Sequence, residues 1–558
     1  MNTEPDQTSS HPPYRANPQR WPQLGQQVGT AGLFLYSAFA PHSIAAAEIS
    51  LAIAGAGWLL RVVSSRQTGF LRTAFDFPIL MFFLWSAASS FLSQEPQISI
   101  AKIQSTCVIF LFYLTQAIVT RRTAILLVAV MILSGVSGTV YSVVDIARGR
   151  GVVIESIAPD SPFYPLHIRP GHAIWRIGGQ RMSSVADVDE YLRNSRSETV
   201  AISLIARGEH VELPQVIVTD AIKRNASPSG IVGRGPTHRF RASGWTRHYE
   251  TYSEILQMLA QLSLGLALAN FRNHGLNFRS KLAFAAAALL ALGIAFTAMR
   301  TVLVALAIGF CTIGLRSGAA KSRAVSLAAI LLALTTGVFV VYQARAQDAL
   351  WFQDSSSSLR FQVARAGLAR LMVHPVFGHG MDAMQRHWRE WGFPGHDVVH
   401  LHSTPLQLTF DRGLPALLLW LWIMTLFWRM ASRGDRSLRE NLDTNRHGIM
   451  LGATGAVAGF FASSLVNYNF GDGEVALVFW WLLGIVVVLG GGTGARGQRS
   501  EVRSQRSEVR GQRSSSDVRS QKRGSRPLGR FDNQRPVEVT AMKQGVTGFL
   551  FDTDLSDF

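Results

Sequence analysis

"HLHSTPLQLTFDRGLPALLLWLW" occupies residues 400–422. Two histidines, one residue apart, stand ahead of an apolar run that continues to about residue 428. A run of that length has the reach to cross a bilayer, so the polar head of the stretch belongs at a membrane surface. Whether the histidines bind a metal, move a proton or only face water depends on which surface that is.

The chain has 558 residues, of which only 16% are charged, with 32 Phe and 13 Trp. Similar apolar runs recur along it, at 28–41, 43–62, 75–92, 102–119, 123–144, 250–270, 280–298, 300–315, 324–342, 405–428, 448–467 and 474–491. The fold class expected is mainly α, a polytopic membrane protein of about twelve transmembrane helices. The first pair of runs reads as one kinked helix or two, because "APHS" (residues 40–43) marks either a turn or a kink. The polar residues 1–27 read as a disordered cytoplasmic N-terminus with no cleavable signal, and 28–146 as membrane helices one to five. Both cysteines, Cys107 and Cys311, lie in apolar runs, which excludes a disulfide scaffold or a thiolate zinc site.

The formal charge of +18 suggests nucleic acid until it is located. Residues 494–530 carry eleven Lys/Arg against three Asp/Glu, and much of the remainder sits in short loops. With the N-terminus inside, Arg61, Arg66, Arg72, Arg121, Arg122, Arg272, Arg279 and the arginines of 429–446 all fall on the cytoplasmic side. The opposite loops "SQEPQIS" (93–99) and "YNFGDG" (468–473) hold no Lys or Arg. This is orientation charge, with no nucleic-acid partner, and it puts the loop 343–403 outside. Within the tail 492–558, residues 496–524 repeat about every seven residues with one Val per repeat; a coiled coil needs two apolar positions, so the tail reads as basic, low-complexity and cytoplasmic, touching anionic lipid or without a role.

A soluble insert interrupts the spans at 147–222. "GVVIESIAPDSP" (151–162) reads as strand and turn. "IRPGHAIWRIGGQRMSSVADVDEYLRN" (168–194) reads as turn, strand, Gly-Gly hairpin and a helix capped by Ser183 or Ser184. This order resembles a PDZ domain of the bacterial extracytoplasmic type, carried by "APDSP", "IRPGHAIWRIGGQ" and "VADVDEYL". The resemblance implies a small α+β domain that takes a protein partner or peptide terminus along Gly151, Val152, Val153 and Ile154, beside Val188 of the helix. "FYPLH" (163–167) departs from the usual small residues there, and the alternative is a rigid brace.

The rest, 223–491, reads as membrane helices six to twelve with the extracytoplasmic loop 343–403. Outward arginines stand out: Arg241 in "RFRASGWTRHYETYSEILQML" (239–259), Arg300 in "FTAMRTVLVAL" (296–306) and Arg360 in "SSLRFQVARAGLARLMVHPVFGHGMD" (357–382). Singly, each reads as a snorkelling or loop-anchoring residue. Together with residues 400–422 they resemble the signature region of the O-antigen ligase and polymerase family: an Arg-led helix, a His-Pro…Gly-x-Gly turn, then a His before a Leu-rich helix with an acidic residue and a glycine one turn in. A Trp common after the loop Arg is missing, and Ser403 replaces a frequent Asn. The resemblance implies a membrane glycosyltransferase in the bacterial cytoplasmic (inner) membrane, multi-pass, with the PDZ-like domain and catalytic loop extracytoplasmic. It would move glycan from an undecaprenyl-diphosphate carrier to a lipid- or glycan-linked acceptor hydroxyl, as ligase or as polymerase, among membrane lipids. His402 would be the base and Arg300 and Arg360 the catalytic cations. Arg241, His248, Glu254 and Asp411 would bind diphosphate or sugar.

Guanidinium forks suit a diphosphate leaving group, and a histidine near its reference pKa of about 6.5 suits a hydroxyl proton. No cofactor and no metal are expected: His374, His379, His387, His396 and His400 share the loop with His402, but no carboxylate–histidine spacing of a metal site appears. Two rival functions stay open. An intramembrane protease rests on the Gly-x-Ser-Gly within "SGVSG" (134–138), although HExxH is absent. A transporter or glycan scaffold would need paired charges near the membrane midplane. Reporter fusions within 343–403 are expected to report the extracytoplasmic side; a cytoplasmic readout would overturn the topology.

Overall fold

The structure is a computed structural model that describes residues 20–490, apart from 167, 207, 247, most of 318–354, 396–397 and 440–442. The expected span 324–342, the expected N-terminal segment up to residue 19, the tail and His396 lie outside the described residues.

The molecule is mainly helical with one small sheet. The first helices are α1 (Arg20–Phe39), α2 (Ile44–Ser65), α3 (Asp76–Leu92), α4 (Pro96–Lys102), α5 (Phe110–Ile118) and α6 (Arg121–Arg148), a 3-10 stretch joining α4 to α5. The sheet domain holds α7 (Val185–Asn194) and α8 (Asp220–Arg224). Then follow α9 (Tyr249–His274), α10 (Phe278–Thr297), α11 (Arg300–Arg316), α12 (Ser355–Leu371), α13 (Ala383–His387), α14 (Thr404–Arg412), α15 (Leu414–Leu438), α16 (Thr444–Ser464) and α17 (Gly473–Gly490). Among the described residues seven helical segments are long and apolar enough to cross a membrane: α2, the continuous Pro96–Ile118, α6, α9, α10, α15 and α17. The helix α3 is apolar but shorter, at 17 residues. Expected spans at 28–41, 300–315 and 448–467 are helical without reaching that standard. The run 405–428 is not one helix: Gly413, at φ 78, splits it into α14 and α15. The chain reverses between 39 and 44, so the first pair is two helices.

Burial and hydropathy run opposite ways in α9. It has the lowest mean hydropathy of the seven segments, 1.2, yet 89% of its apolar window is buried. Ser253, Glu254, Gln257, Gln261 and Asn270 explain this, because lipid satisfies no polar group and such a helix must be wrapped by others. Small residues let the wrapping come close. A Cβ on Gly265 of α9 would stand 2.3 Å from the Gly452 nitrogen of α16, and one on Gly57 of α2 would stand 2.2 Å from the Gly29 nitrogen of α1.

The sheet runs β5-β4-β2-β1-β6, all pairs antiparallel, with the short β3 (Gln180–Arg181) beside β2. Its strands are β1 (Val152–Ile157), β2 (Ala173–Ile177), β4 (Thr199–Ala206), β5 (Glu209–Ile217) and β6 (Ile231–Arg234). The sheet therefore extends past the expected boundary at 222. Ser184 caps α7 through the Asp187 N–H, and hydrogen bonds from Ser183 and Ser184 hold the Asp187 carboxylate at about 2. The edge of β1 expected to receive a peptide is taken by β6, which pairs Ile154 with Gly233 and Ser156 with Val232. Val152, Val153, Ile154 and Val188 are buried, so in this structure neither they nor Gly151 line an open groove; a peptide would have to displace β6. The domain is fixed to the end of α6 by Arg150, which pairs with Asp145, hydrogen-bonds His210 at 2.9 Å and lies 4.4 Å from the rings of both Trp175 and Phe240.

Because no space exists for a methyl at the α9–α16 crossing, Gly265→Ala is expected to cost about 1–3 kcal/mol. Gly55→Ala, where a Cβ meets nothing within 4 Å, should be neutral. Thermal unfolding in detergent checks the pair; equal midpoints would contradict this packing.

Candidate functional site

One cavity of about 740 Å³ collects polar residues from segments far apart in sequence. Its lining includes Glu48 of α2, Lys102 of α4, Glu250, Thr251 and Glu254 of α9, His400 and His402, Gln407, Asp411 and Arg412 of α14, and the loop from Asn467 to Asp472. Apolar walls come from Phe82, Val108, Ile109 and Trp480.

The Gly-x-Gly turn positions the loop that carries the histidines. Gly378 (φ 74) crosses the end of α14 so closely that a Cβ would stand 2.5 Å from the Asp411 backbone. The His379 N–H donates to the Phe410 carbonyl at 2.7 Å, and its ring stacks on Phe410 at 4.3 Å. His379 is thus a packing residue, buried and held at about 4 by desolvation, then by His374 and Arg370. His402 follows in the left-handed region, φ 52, which costs a non-glycine residue roughly 1 kcal/mol or more and turns the chain sharply into Ser403 and α14. Its ring lies 4.3 Å from that of His400.

The sequence reading expects His402 near its ordinary pKa. The structure differs: burial, then His400, then the Arg360 guanidinium hold the imidazole at about 3, and burial lowers His400 too. His402 is therefore neutral near pH 7 and a weak base.

Arg360 donates to Glu250 at 3.0 Å and to Asn467 at 3.4 Å. The Asn467 amide donates in turn to Glu254 at 2.9 Å and to Thr301 at 3.2 Å, while its backbone carbonyl accepts from the Thr404 N–H at 3.1 Å. Glu254 is buried; Ser463 and Asn467 donate to Oε1, and Oε2 has no partner among the described residues. Asp411 accepts from Gln407 at 2.7 Å and is also buried.

The structure thus brings His402, Glu254 and Asp411 onto one cavity and puts Arg360 beside it through Glu250 and Asn467. Arg300 opens α11, one residue before Thr301, and does not line the cavity. Arg241 pairs with Glu209 of the sheet at 3.1 Å and lies 4.5 Å from the Tyr249 ring, so it ties the sheet domain to the start of α9. His248 is the residue immediately before α9, without a side-chain capping hydrogen bond. Sequence reasoning missed Lys102, Glu250, Asn467 and Arg412. Arg412 was in view inside the opening stretch, while Asn467 borders a loop notable there only for lacking Lys and Arg. Among the described residues no group of three His, Cys, Asp or Glu is arranged to hold a metal ion.

Comparison with known families places residues 285–421, about a quarter of the chain, under the family model described as O-antigen ligase. No curated protein matches the chain. The matched segment contains Arg300, Arg360, His402, Asp411 and Arg412. With the apolar helices, it supports a multi-pass membrane enzyme of the ligase or polymerase type that acts on lipid-linked glycan.

The His402 environment has a measurable consequence. The unfolded chain takes up this proton near pH 6.5 and the folded chain only near 3, so stability is lost as pH falls from 6.5 toward 3. His402→Gln should flatten part of the fall in thermal midpoint between pH 7 and 4.5. An unchanged slope would mean an ordinary proton affinity.

Proposed function

We propose that this protein transfers a glycan from an undecaprenyl-diphosphate carrier to an acceptor hydroxyl at the extracytoplasmic face of the bacterial inner membrane. The observation that carries the reading is the meeting of the His402 loop with the Arg360–Asn467–Glu254 network at one cavity, inside and beside the segment that matches the O-antigen ligase family.

In this reading the acceptor oxygen attacks the anomeric carbon and its proton passes to a ring nitrogen of His402. The bond from carbon to the diphosphate oxygen breaks, and the electron pair stays on the diphosphate. Guanidinium groups stabilise that growing charge without a metal. Arg360 serves here by exchanging Glu250 for phosphate oxygen, with Arg300 and Arg241 supporting the same end of the bundle. Glu254 Oε2 and Asp411 take hydrogen bonds from sugar hydroxyls. His402 gains basicity when the site is loaded: burial is the main cause of its low proton affinity, but a diphosphate anion offsets the smaller contribution of Arg360 and favours the imidazolium directly. The pH profile of kcat should therefore show an acid limb above that of ligand-free His402.

The sheet domain stands on the same side as the cavity in this reading. Because β6 fills the β1 edge, its first role is to brace the start of α9 through Arg241, and peptide binding would follow only on loss of β6.

Arg360→Ala and His402→Ala should abolish glycan transfer by purified protein, with membrane abundance unchanged and wild-type activity retained in EDTA. Normal transfer by either variant removes that residue from the mechanism. Carrier-linked glycans of a deletion strain separate the acceptors: long carrier-linked chains indicate a ligase, single repeats a polymerase.

A further inference from the structure

Two arginines are buried among the described residues, Arg150 at 7% exposure and Arg412 at 6%. They differ in one respect. Arg150 has the Asp145 carboxylate, whereas among the described residues no carboxylate lies within ion-pair distance of Arg412. Arg412 Nη1 donates to the neutral Ser86 hydroxyl at 3.2 Å, its guanidinium lies 5.5 Å from the Phe82 ring, and Nε is buried without an acceptor. The neighbouring Asp411 carboxylate feels the Arg412 charge, but it lies beyond ion-pair distance and hydrogen-bonds Gln407. Burying a charge without a direct ion-pair partner is costly, and more so among membrane helices. Arg412 nevertheless lines the cavity, so the missing counter-charge has room to arrive.

Lys102 lines the same cavity. Its ammonium pairs with Asp382 at 2.8 Å, but both side chains are nearly half exposed, which makes that pair weak and exchangeable. Phe82, Ile109 and Trp480 give the cavity an apolar side next to these cations. Such a pairing of buried cation and apolar wall suits an anion carried on a hydrocarbon chain.

We propose that Arg412, assisted by Lys102, is the seat of the carrier diphosphate. This deepens the glycosyl-transfer reading and rests on it. The guanidinium supplies two parallel donors to phosphate oxygens, and the anion satisfies the orphaned Nε. Arg360 then reaches the same diphosphate from the rim, once it exchanges Glu250 for phosphate oxygen. The distinction between a ligand-directed charge and a structural one is measurable. An arginine that serves the fold is missed when removed, while one held for an absent anion is not, because its removal relieves an uncompensated burial.

The test uses the full chain purified in detergent, with farnesyl diphosphate, farnesol and inorganic diphosphate as probes of the thermal midpoint. Wild type should be stabilised by farnesyl diphosphate and not by farnesol. Arg412→Gln should keep or raise the ligand-free midpoint and bind farnesyl diphosphate roughly a hundredfold more weakly. Arg412→Lys should fall between the two, and Lys102→Gln should weaken binding by about tenfold. Arg193→Gln, on the sheet domain, controls for loss of one positive charge. The proposal is overturned if Arg412→Gln binds as wild type does, or if its ligand-free midpoint drops or it fails to accumulate, since the guanidinium would then serve the fold. If wild type itself ignores both diphosphates, the carrier reading fails, and this inference with it. Stabilisation by inorganic diphosphate equal to that by farnesyl diphosphate would retain the anion seat and remove the isoprenoid chain from recognition.

Discussion

A single buried amide joins most of what is needed for this site. Asn467 receives Arg360 from α12, donates to Glu254 of α9 and Thr301 of α11, and through its backbone carbonyl holds Thr404 at the start of α14. Elements separated by as many as 213 positions are thereby registered at one point. Arg360 and Glu250 are part-exposed, but Asn467 and Glu254 are buried, so these two depend on their protein partners for hydrogen bonds. The geometry of the His402 loop is inherited from this network, because Ser403 and Thr404 lie directly between that loop and the amide.

The two ends of the helical bundle use charge differently. Away from the cavity, Asp435 is fully buried and completely compensated: Arg316 at 2.9 Å, His447 at 3.1 Å and Arg439 at 3.4 Å surround its carboxylate. That cluster locks α11, α15 and α16 together around a paired carboxylate, although Arg316 Nε, Arg439 Nε and His447 Nδ1 are buried without partners among the described residues. At the cavity the pairing is incomplete: among the described residues Glu254 Oε2 has no hydrogen-bond partner and Arg412 has no carboxylate within ion-pair distance. Uneven compensation of this kind is a cost that ligand binding offsets, and it separates a site from a structural clamp.

The apolar pattern carried the helices well. The expected runs at 43–62, 102–119, 123–144, 250–270, 280–298 and 474–491 fall within a few residues of segments long enough to cross a membrane. The capping of α7 by Ser184 was legible for the same reason, since both are local. The break at Gly413 was harder, because Leu and Trp on either side keep the run apolar while the φ of one glycine ends the helix. The strand β6 was missed because four residues between turns carry no periodic signal, and pairing with β1 is decided by the sheet. In the site, His402, Glu254 and Asp411 were visible by residue type and motif. Lys102, Asn467 and the isolation of Arg412 were not, since they arise from contacts between distant segments. The proton affinity of His402 belongs to the same class: the reference value describes a solvated ring, and the loop, His400 and Arg360 surround this one.

The central claim is that this cavity exchanges a carrier diphosphate for an acceptor hydroxyl. The most direct measurement follows the purified protein in liposomes with a polyprenyl-diphosphate-linked glycan and an acceptor glycolipid, tracking both products by mass spectrometry. The account predicts glycosylated acceptor and free polyprenyl diphosphate in equal amounts. Carrier that stays intact with both substrates bound, or that releases polyprenyl monophosphate in place of diphosphate, would contradict it.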